Sequence, residues 1–400
     1  MSLLVKIVLG VIAALVLAAV YVLNPRLPTP EGEQSAALYR PGTLGVSSQP
    51  IALVDTSRPT KPNGDFEGST HRALNGVVWY PATQGHRPFP LIVYSHGFMS
   101  SVAEPEYLVD FLVPKGYVVV AVDYPLSHGG APGGPTVSDV INQPGDVSFV
   151  IDAMLARNAD ALDDLHGLLD PLRIAAVGLS LGGLTTQLAA FHRDVRDPRL
   201  GAAVSIAGPS AFLAPGFFQT TDIPFMMIAG SADAIIPYQA NAAPIVSKAG
   251  SSLLVTLDKG SHVGFAGMSS VFFRWSRHPD KIVCPLLLRG LDREGGDAEP
   301  ILAPDAGVGI STSGVPPCTM ETFDRAMRPA DQQMLTRLAL YAFLEKVFAH
   351  DADRRRQMDR YLAVALTAEN PAVTVVGSAM AHAASGAESG HNSPEQEAQQ

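Results

Sequence analysis

Two cysteines in 400 residues, Cys284 and Cys318, are too few for a scaffold framed by disulfides. Neither stands in a close Cys/His pair of the kind that holds zinc. Basic residues are also in short supply. Lys and Arg number 28 against 38 Asp and Glu, a formal charge of −10, which argues against a nucleic-acid partner. There is no internal period of solenoid type. The glycines of "SHGGAPGGP" (127–135) are not followed by Gly-Lys-Ser/Thr, so the stretch reads as plain loop and not as a phosphate cradle. The acidic run "NADALDDLHGLLD" (158–170) lacks the EF-hand order. No metal and no organic cofactor is expected. What the chain has in quantity is apolar residues, 47% of the whole with only 16% charged, enough to bury a large core without such help.

The longest apolar run comes first. "LLVKIVLGVIAALVLAAVYVL" (3–23) is interrupted only by Lys6 and as a helix would reach about 30 Å, the thickness of a bilayer core. It reads as an uncleaved anchor or as a cleaved signal segment; its length and the lack of a clear cleavage site favour the anchor. Either way the remainder is expected outside the cytoplasm, membrane-anchored or secreted. In that setting Cys284 and Cys318, both late in the chain, are candidates for one bridge, the alternative being two buried free thiols.

The domain plan follows from composition: residues 1–24 as anchor or signal segment, a Pro/Gly/Ser-rich linker over 25–50, one domain over 51–350, and a disordered tail over 367–400 that is small, polar and without apolar period. Within the domain, strand-like runs alternate with helical ones. "GVVWYPA", "FPLIVYSHG", "YVVVAVDYP", "RIAAVGLS", "GAAVSIAG", "IPFMMIAG" and "SSLLVTLD" predict strands. Helices are predicted over 104–116, 146–156, 181–192, most of 238–250 and 330–348, the last amphipathic. Such alternation implies an α/β fold with a mostly parallel sheet covered on both faces, whose ligands sit at the carboxyl ends of the strands.

One of those strand ends carries "AAVGLSLGGLTTQ" (175–187). Gly-Xaa-Ser-Xaa-Gly where a buried strand hands over to a helix is a nucleophile elbow: a sharp turn that exposes Ser180 above the sheet, beside the helix N-terminus. A serine hydroxyl needs a base. In this arrangement the acid follows the serine and the histidine comes last. "IAGSADAIIP" supplies Asp233 after one strand, and "LDKGSHVGFAG" supplies His262 after the next. Asp258 is the rival acid but reads as a strand terminator. His96 in "YSHGF" reads as structural, shaping a loop whose Phe98 N–H, with that of Leu181, would form the oxyanion hole.

These stretches, with "VDTSRP" (54–59), "DVSFVIDAM" and "GSADAIIP", resemble the α/β-hydrolases over roughly residues 51–265. Within them the chain is similar to the dienelactone hydrolase-like and platelet-activating-factor acetylhydrolase-like group, with polyester-cleaving cutinases as cousins. The resemblance implies an α/β-hydrolase fold and a serine hydrolase of the esterase or lipase type, with an amidase, a peptidase or a catalytically silent binding protein as alternatives. A serine in place of the cysteine of true dienelactone hydrolases points to ordinary carboxylic esters, and the apolar wall expected below points to an apolar acyl or alcohol group.

The departure from that pattern is residues 263–320, which look like an insertion holding both cysteines. It reads either as a lid or pocket wall or as a surface excursion. Phe98 is expected to line an acyl pocket. Phe212, Phe217, Phe218, Phe265, Phe272 and Trp275 could form its apolar wall, or could equally be core.

Overall fold

A computed structural model describes residues 2–23, 28–83, 88–291, 310, 315–320 and 322–378, with side chains of the first helix described as far as Leu17. Nine strands form one sheet: β1 (Gly45–Asp55), β2 (Arg72–Ala82), β3 (Phe89–Ser95), β4 (Val118–Val122), β5 (Leu169–Leu179), β6 (Leu200–Ile206), β7 (Phe225–Gly230), β8 (Ser252–Leu257) and β9 (Val373–Gly377). Their spatial order is β1-β2-β4-β3-β5-β6-β7-β8-β9. The six from β4 to β8 run parallel, while β1, β2 and β9 are antiparallel to their neighbours. The mostly parallel sheet expected from the alternation of strand and helix is present, and the fold is the α/β-hydrolase fold that the resemblance implies.

The helices are α1 (Leu3–Leu23), α2 (Glu33–Tyr39), α3 (Glu106–Leu112), α4 (Gln143–Ala159), α5 (Leu181–Phe191), the one-turn α6 (Pro215–Phe218), α7 (Tyr238–Asn241), α8 (Ile245–Lys248) and α9 (Ser269–Phe272), then α10 (Pro279–Leu291), α11 (Pro329–Phe348), α12 (Ala352–Arg360) and α13 (Leu366–Glu369). Two cores lie on the two faces of the sheet. Alternate residues of each strand serve them in turn: Ile92 and Tyr94 of β3 pack with α3 and α11, whereas Leu91 and Val93 pack with α4 and α5. Strands buried on both faces explain why the central runs are almost continuously apolar.

The domain is longer than its composition suggested. Residues 25–50, expected as a linker, contain α2 and the first half of β1. Ser35 of α2 hydrogen-bonds the Tyr361 hydroxyl at 2.8 Å, and β1 pairs with β2 along its whole length. As an edge strand β1 is half exposed, so it carries polar residues and tolerates Pro50, whose missing N–H an edge can spare. At the other end, α13 and β9 occupy the start of the expected tail. β9 closes the sheet against β8, with Leu257 opposite Val373. Residues 379–400 of that tail lie outside the described residues. The helix expected over 238–250 is two single turns separated at Pro244. Helix α11 matches its expected span, but its polar side does not face water: Gln332, Gln333 and Arg337 are buried and bonded to Ser261, Ala266 and Tyr107.

Helix α1 covers the first apolar run. Among the described residues no helix is long and apolar enough to cross a membrane. The length needed for a span includes residues 18–23, whose side chains fall outside the described ones.

One buried ionic cluster fastens β2 to α4 and to the turn that precedes it. Arg72, fully buried, gives Nη1 and Nη2 to Asp139 at 3.0 and 2.9 Å, and Nε and Nη2 to Asp146 at 2.7 and 2.6 Å. Arg58 adds a further contact to Asp146 at 2.7 Å.

Candidate active site

Ser180 stands between β5 and α5 with φ 56° and ψ −117°, a conformation that costs a residue with a side chain energy and that is held by its surroundings. Its N–H donates to Ile206 O at 2.8 Å, and Leu184 N–H returns to Ser180 O at 3.1 Å to start the helix. The flanking glycines are required by contact. A Cβ at Gly178 would lie 2.1 Å from Gly182 O, and one at Gly182 would lie 1.9 Å from Ser95 O. The sharpness of the turn is therefore a matter of backbone touching backbone.

Asp233 follows β7 and His262 follows β8. Asp233 is buried; its Oδ1 accepts the N–H groups of Ile235 and Ile236 at 2.9 and 2.7 Å, leaving Oδ2 for His262 Nδ1 at 2.7 Å. An imidazole that donates from Nδ1 to a carboxylate keeps Nε2 as the acceptor. Burial raises the Asp233 carboxyl above its ordinary value, against the pull of the histidine. For His262 burial works toward the neutral ring, but the carboxylates of Asp233, Asp280 and Glu104 outweigh it and hold the group above its ordinary value. Asp258, the rival acid, is exposed; it accepts from the Ser231 hydroxyl at 3.2 Å and borders a separate groove with Lys259 and Arg325.

The loop after β3 is pinned on each side of Phe98. Tyr124 N–H donates to His96 Nε2 at 3.1 Å, so Nδ1 carries the proton and donates to Gly97 O at 2.8 Å. Burial pushes this histidine down to about 4, consistent with a neutral ring. Gly97 O and Phe98 N–H belong to one peptide plane, so fixing the carbonyl aims the N–H. Gly97 N–H is in turn held by Glu104 Oε2 at 2.9 Å, and Met99 N–H by Ser127 O at 2.9 Å. Leu181 is the first residue of α5, where an N–H has no partner within the helix. Glu104 also accepts from the Tyr94 hydroxyl at 2.9 Å; burial pushes its carboxyl up to about 7, with those hydrogen bonds acting in the opposite sense.

Ser180 and His262 open on one cavity of about 550 Å³. Phe98, Met99, Ile235 and Phe273 line it together with Val283, Leu286 and Leu287 of α10, and Glu104 and the serines at 100 and 101 are its other polar side chains. The described part of the insertion, through Phe273 and α10, is thus a wall of this cavity. Cys284 of α10 is bridged to Cys318, and Cys318 N–H donates to Ala234 O at 2.9 Å, beside Asp233. Residues 292–309 and 311–314 of the insertion lie outside the described residues.

Of the aromatic residues expected around the pocket, only Phe98 is there. Phe217 and Phe218, in α6, are fully buried in one of the two cores; they meet edge-on, Phe218 also packs edge-on against Phe191, and tilted contacts join Phe217 to Phe191 and Phe218 to Phe225. Phe212 packs on that same core, and Phe265 lies fully buried in the opposite one. Phe272 and Trp275 are about two-thirds exposed, at 65% and 66%. Apolar character signalled burial for Phe217, Phe218 and Phe265 but could not say in which space, and for Phe272 and Trp275 it did not signal burial at all. The wall residues of α10 carried a usable signal: in "PDKIVCPLLLRGL" the apolar positions recur at helical spacing. Asp280 and Glu104 carried none, because their partners are set by the fold. Among the described residues no group of three or more His, Cys, Asp or Glu side chains is placed to hold a metal ion.

Residues 66–275, just over half of the chain, match the model of a family described as PETase, PET hydrolase-like. No curated protein matches the chain.

Proposed function

We propose that this chain, which belongs to the PET hydrolase-like family of α/β-hydrolases, cleaves neutral carboxylic esters through an acyl-serine intermediate. Family membership makes it an ester-cleaving hydrolase in general; the residues and the substrate are the proposal. Ser180 Oγ attacks the ester carbonyl while His262 Nε2 takes its proton. Asp233 keeps the imidazole in the required tautomer and stabilises the imidazolium. The oxygen that becomes negative is received by the N–H groups of Phe98 and Leu181, and the dipole of α5 adds to their field. His262 then gives its proton to the departing alkoxide. A water activated by the same nitrogen cleaves the acyl-serine.

The observation that carries this reading is the convergence of the strained Ser180 and the His262–Asp233 pair on one apolar cavity. Apolar walls favour an acyl or alcohol group of like character, each buried methylene contributing about 0.8 kcal/mol before ordering costs. The test is fluorophosphonate labelling with peptide mapping, alongside kcat/KM for p-nitrophenyl esters of graded acyl length and a matched anilide. Label on Ser180 and a preference for neutral short to medium esters are expected. An unlabelled Ser180 would make the chain a silent binding protein, and a preference for the anilide would make it an amidase.

The apolar run at residues 3–23 further supports export of the domain, with the run retained as a membrane anchor. Mass-spectrometric reading of the mature N-terminus checks this: a start near residue 25 means a cleaved signal and a secreted enzyme.

A further inference from the structure

We propose that Asp280, in the insertion helix α10, is a positioning residue that holds the loops of Asp233 and His262 in a single arrangement. The inference rests on the acid–base assignment above. Asp280 is fully buried, and its carboxylate is spent entirely on backbone N–H groups of those two loops. Oδ2 accepts from Ala234 N at 3.0 Å and from His262 N at 2.9 Å; Oδ1 accepts from Val263 N at 2.8 Å. The loops leave different strands, and neither is close to Asp280 in sequence, so one carboxylate joins three separate pieces of chain.

The rest of the insertion closes the same grip. Ala232 O and Ala234 flank Asp233 in the chain. His278 Nε2 donates to Ala232 O at 3.1 Å, Asp280 takes Ala234 N–H, and Cys318 N–H binds Ala234 O at 2.9 Å. Cys318 is bridged to Cys284, one helical turn beyond Asp280. Asp233 is therefore clamped on both sides by a segment that contributes no group to the proton transfer. On the histidine side, Gln332 of α11 holds Ser261 by both its N–H and its C=O, at 3.1 and 2.7 Å. With Asp280 on the next two N–H groups, the backbone of residues 261 to 263 is fixed at three successive positions.

A hydrogen bond between imidazole and carboxylate depends on tenths of an ångström, and misplacement of reacting groups by about 1 Å lowers rates roughly 100-fold. Asp280 also acts through charge. The charged or titratable groups facing His262 are Asp233 from the loop after β7, Asp280 from α10 and Glu104 from the loop before α3, while α11 presents neutral Gln332.

The experiment uses the full chain with Asp280→Asn, which keeps the size of the side chain but removes its charge and one acceptor. Asp280→Ser accompanies it, small enough to admit a water in place of the carboxylate should the amide fail to fold. Ser180→Ala is the control. We expect kcat to fall roughly 10- to 100-fold with KM within about twofold. The acid limb of kcat/KM should move to lower pH, because a negative charge that favours the imidazolium has gone. A loss of thermal stability alone, with kcat and the pH midpoint unchanged in the folded variants, overturns the proposal. If Ser180→Ala itself remains active, the acid–base reading fails instead, whatever the Asp280 variants do.

Discussion

His262 Nδ1 and Asp233 Oδ2 lie 2.7 Å apart, both side chains buried, with the second oxygen of the carboxylate fixed by two backbone N–H groups. The contact has a fixed direction: the aspartate cannot turn without giving up those N–H groups, and the imidazole cannot turn without giving up the aspartate. Ser180→Ala and His262→Ala are expected to lower kcat by roughly four to six orders of magnitude. Asp233→Asn should cost somewhat less, and Asp258→Asn close to nothing. Steady-state kinetics on a p-nitrophenyl ester separates them; a full-rate Asp233→Asn beside a crippled Asp258→Asn would reassign the acid.

The pH dependence has a definite sign. In the proposed mechanism His262 must be neutral to accept the serine proton, and its surroundings hold it above the ordinary 6.5. Activity is thus lost as pH falls through that raised midpoint and is retained above it. Glu104→Gln removes a carboxyl, itself pushed up to about 7, whose ionised form sustains the imidazolium, so the midpoint of kcat/KM should move down. A profile of kcat/KM against pH for both proteins is the measurement, and an unmoved midpoint would mean that Glu104 does not act on the histidine.

Helix α10 lines the cavity with Val283, Leu286 and Leu287. Leu287→Trp should shorten the acyl chain accepted, and Leu287→Ala should lengthen it. Each methylene that gains or loses contact changes kcat/KM by roughly fourfold if it contributes about 0.8 kcal/mol. The optimum in an ester series from acetate upward is the readout, and equal effects on all chain lengths would place Leu287 outside the acyl path.

Arg72 gives a prediction about stability and not about rate. Arg72→Met leaves Asp139 and Asp146 buried beside each other with only Arg58 in reach of the latter. Breaking a buried pair in this way costs about 3–5 kcal/mol. Urea unfolding should show it as a lower midpoint, while the kinetics of the remaining folded protein stay close to wild type.

The contrast between what was legible and what was not follows from the range of the signals. The elbow could be read because the glycines, the serine and the strand before it are contiguous, and the physical demand is local. The order of Ser180, Asp233 and His262 could be read because each ends a buried parallel strand, which announces itself as an apolar run. Strand β1 escaped notice because an edge strand is half exposed and its Ser, Gln and Pro residues look like loop; β9, "VTVVG", escaped notice because it is a short β-branched stretch beside a long run of small and polar residues. The placement of Phe217 and Phe265 could not be read at all: a core and a substrate cavity ask for the same side chains. Asp280 finds Ala234 from 46 positions away, a partnership created by the tertiary fold.

Ser180 keeps a backbone conformation in which glycine is at ease and serine is not. A glycine there would relax the chain and remove the hydroxyl proposed as the nucleophile, so on that reading durability and turnover are opposed at one position. Selection on a lineage that no longer needed to cleave esters would push on that position from one side only. Gly178 and Gly182 would stay, because a methyl group at either would strike backbone. A descendant sequence reading Gly-Xaa-Gly-Xaa-Gly at this turn, in an otherwise intact domain, would be the fossil of a lost enzyme.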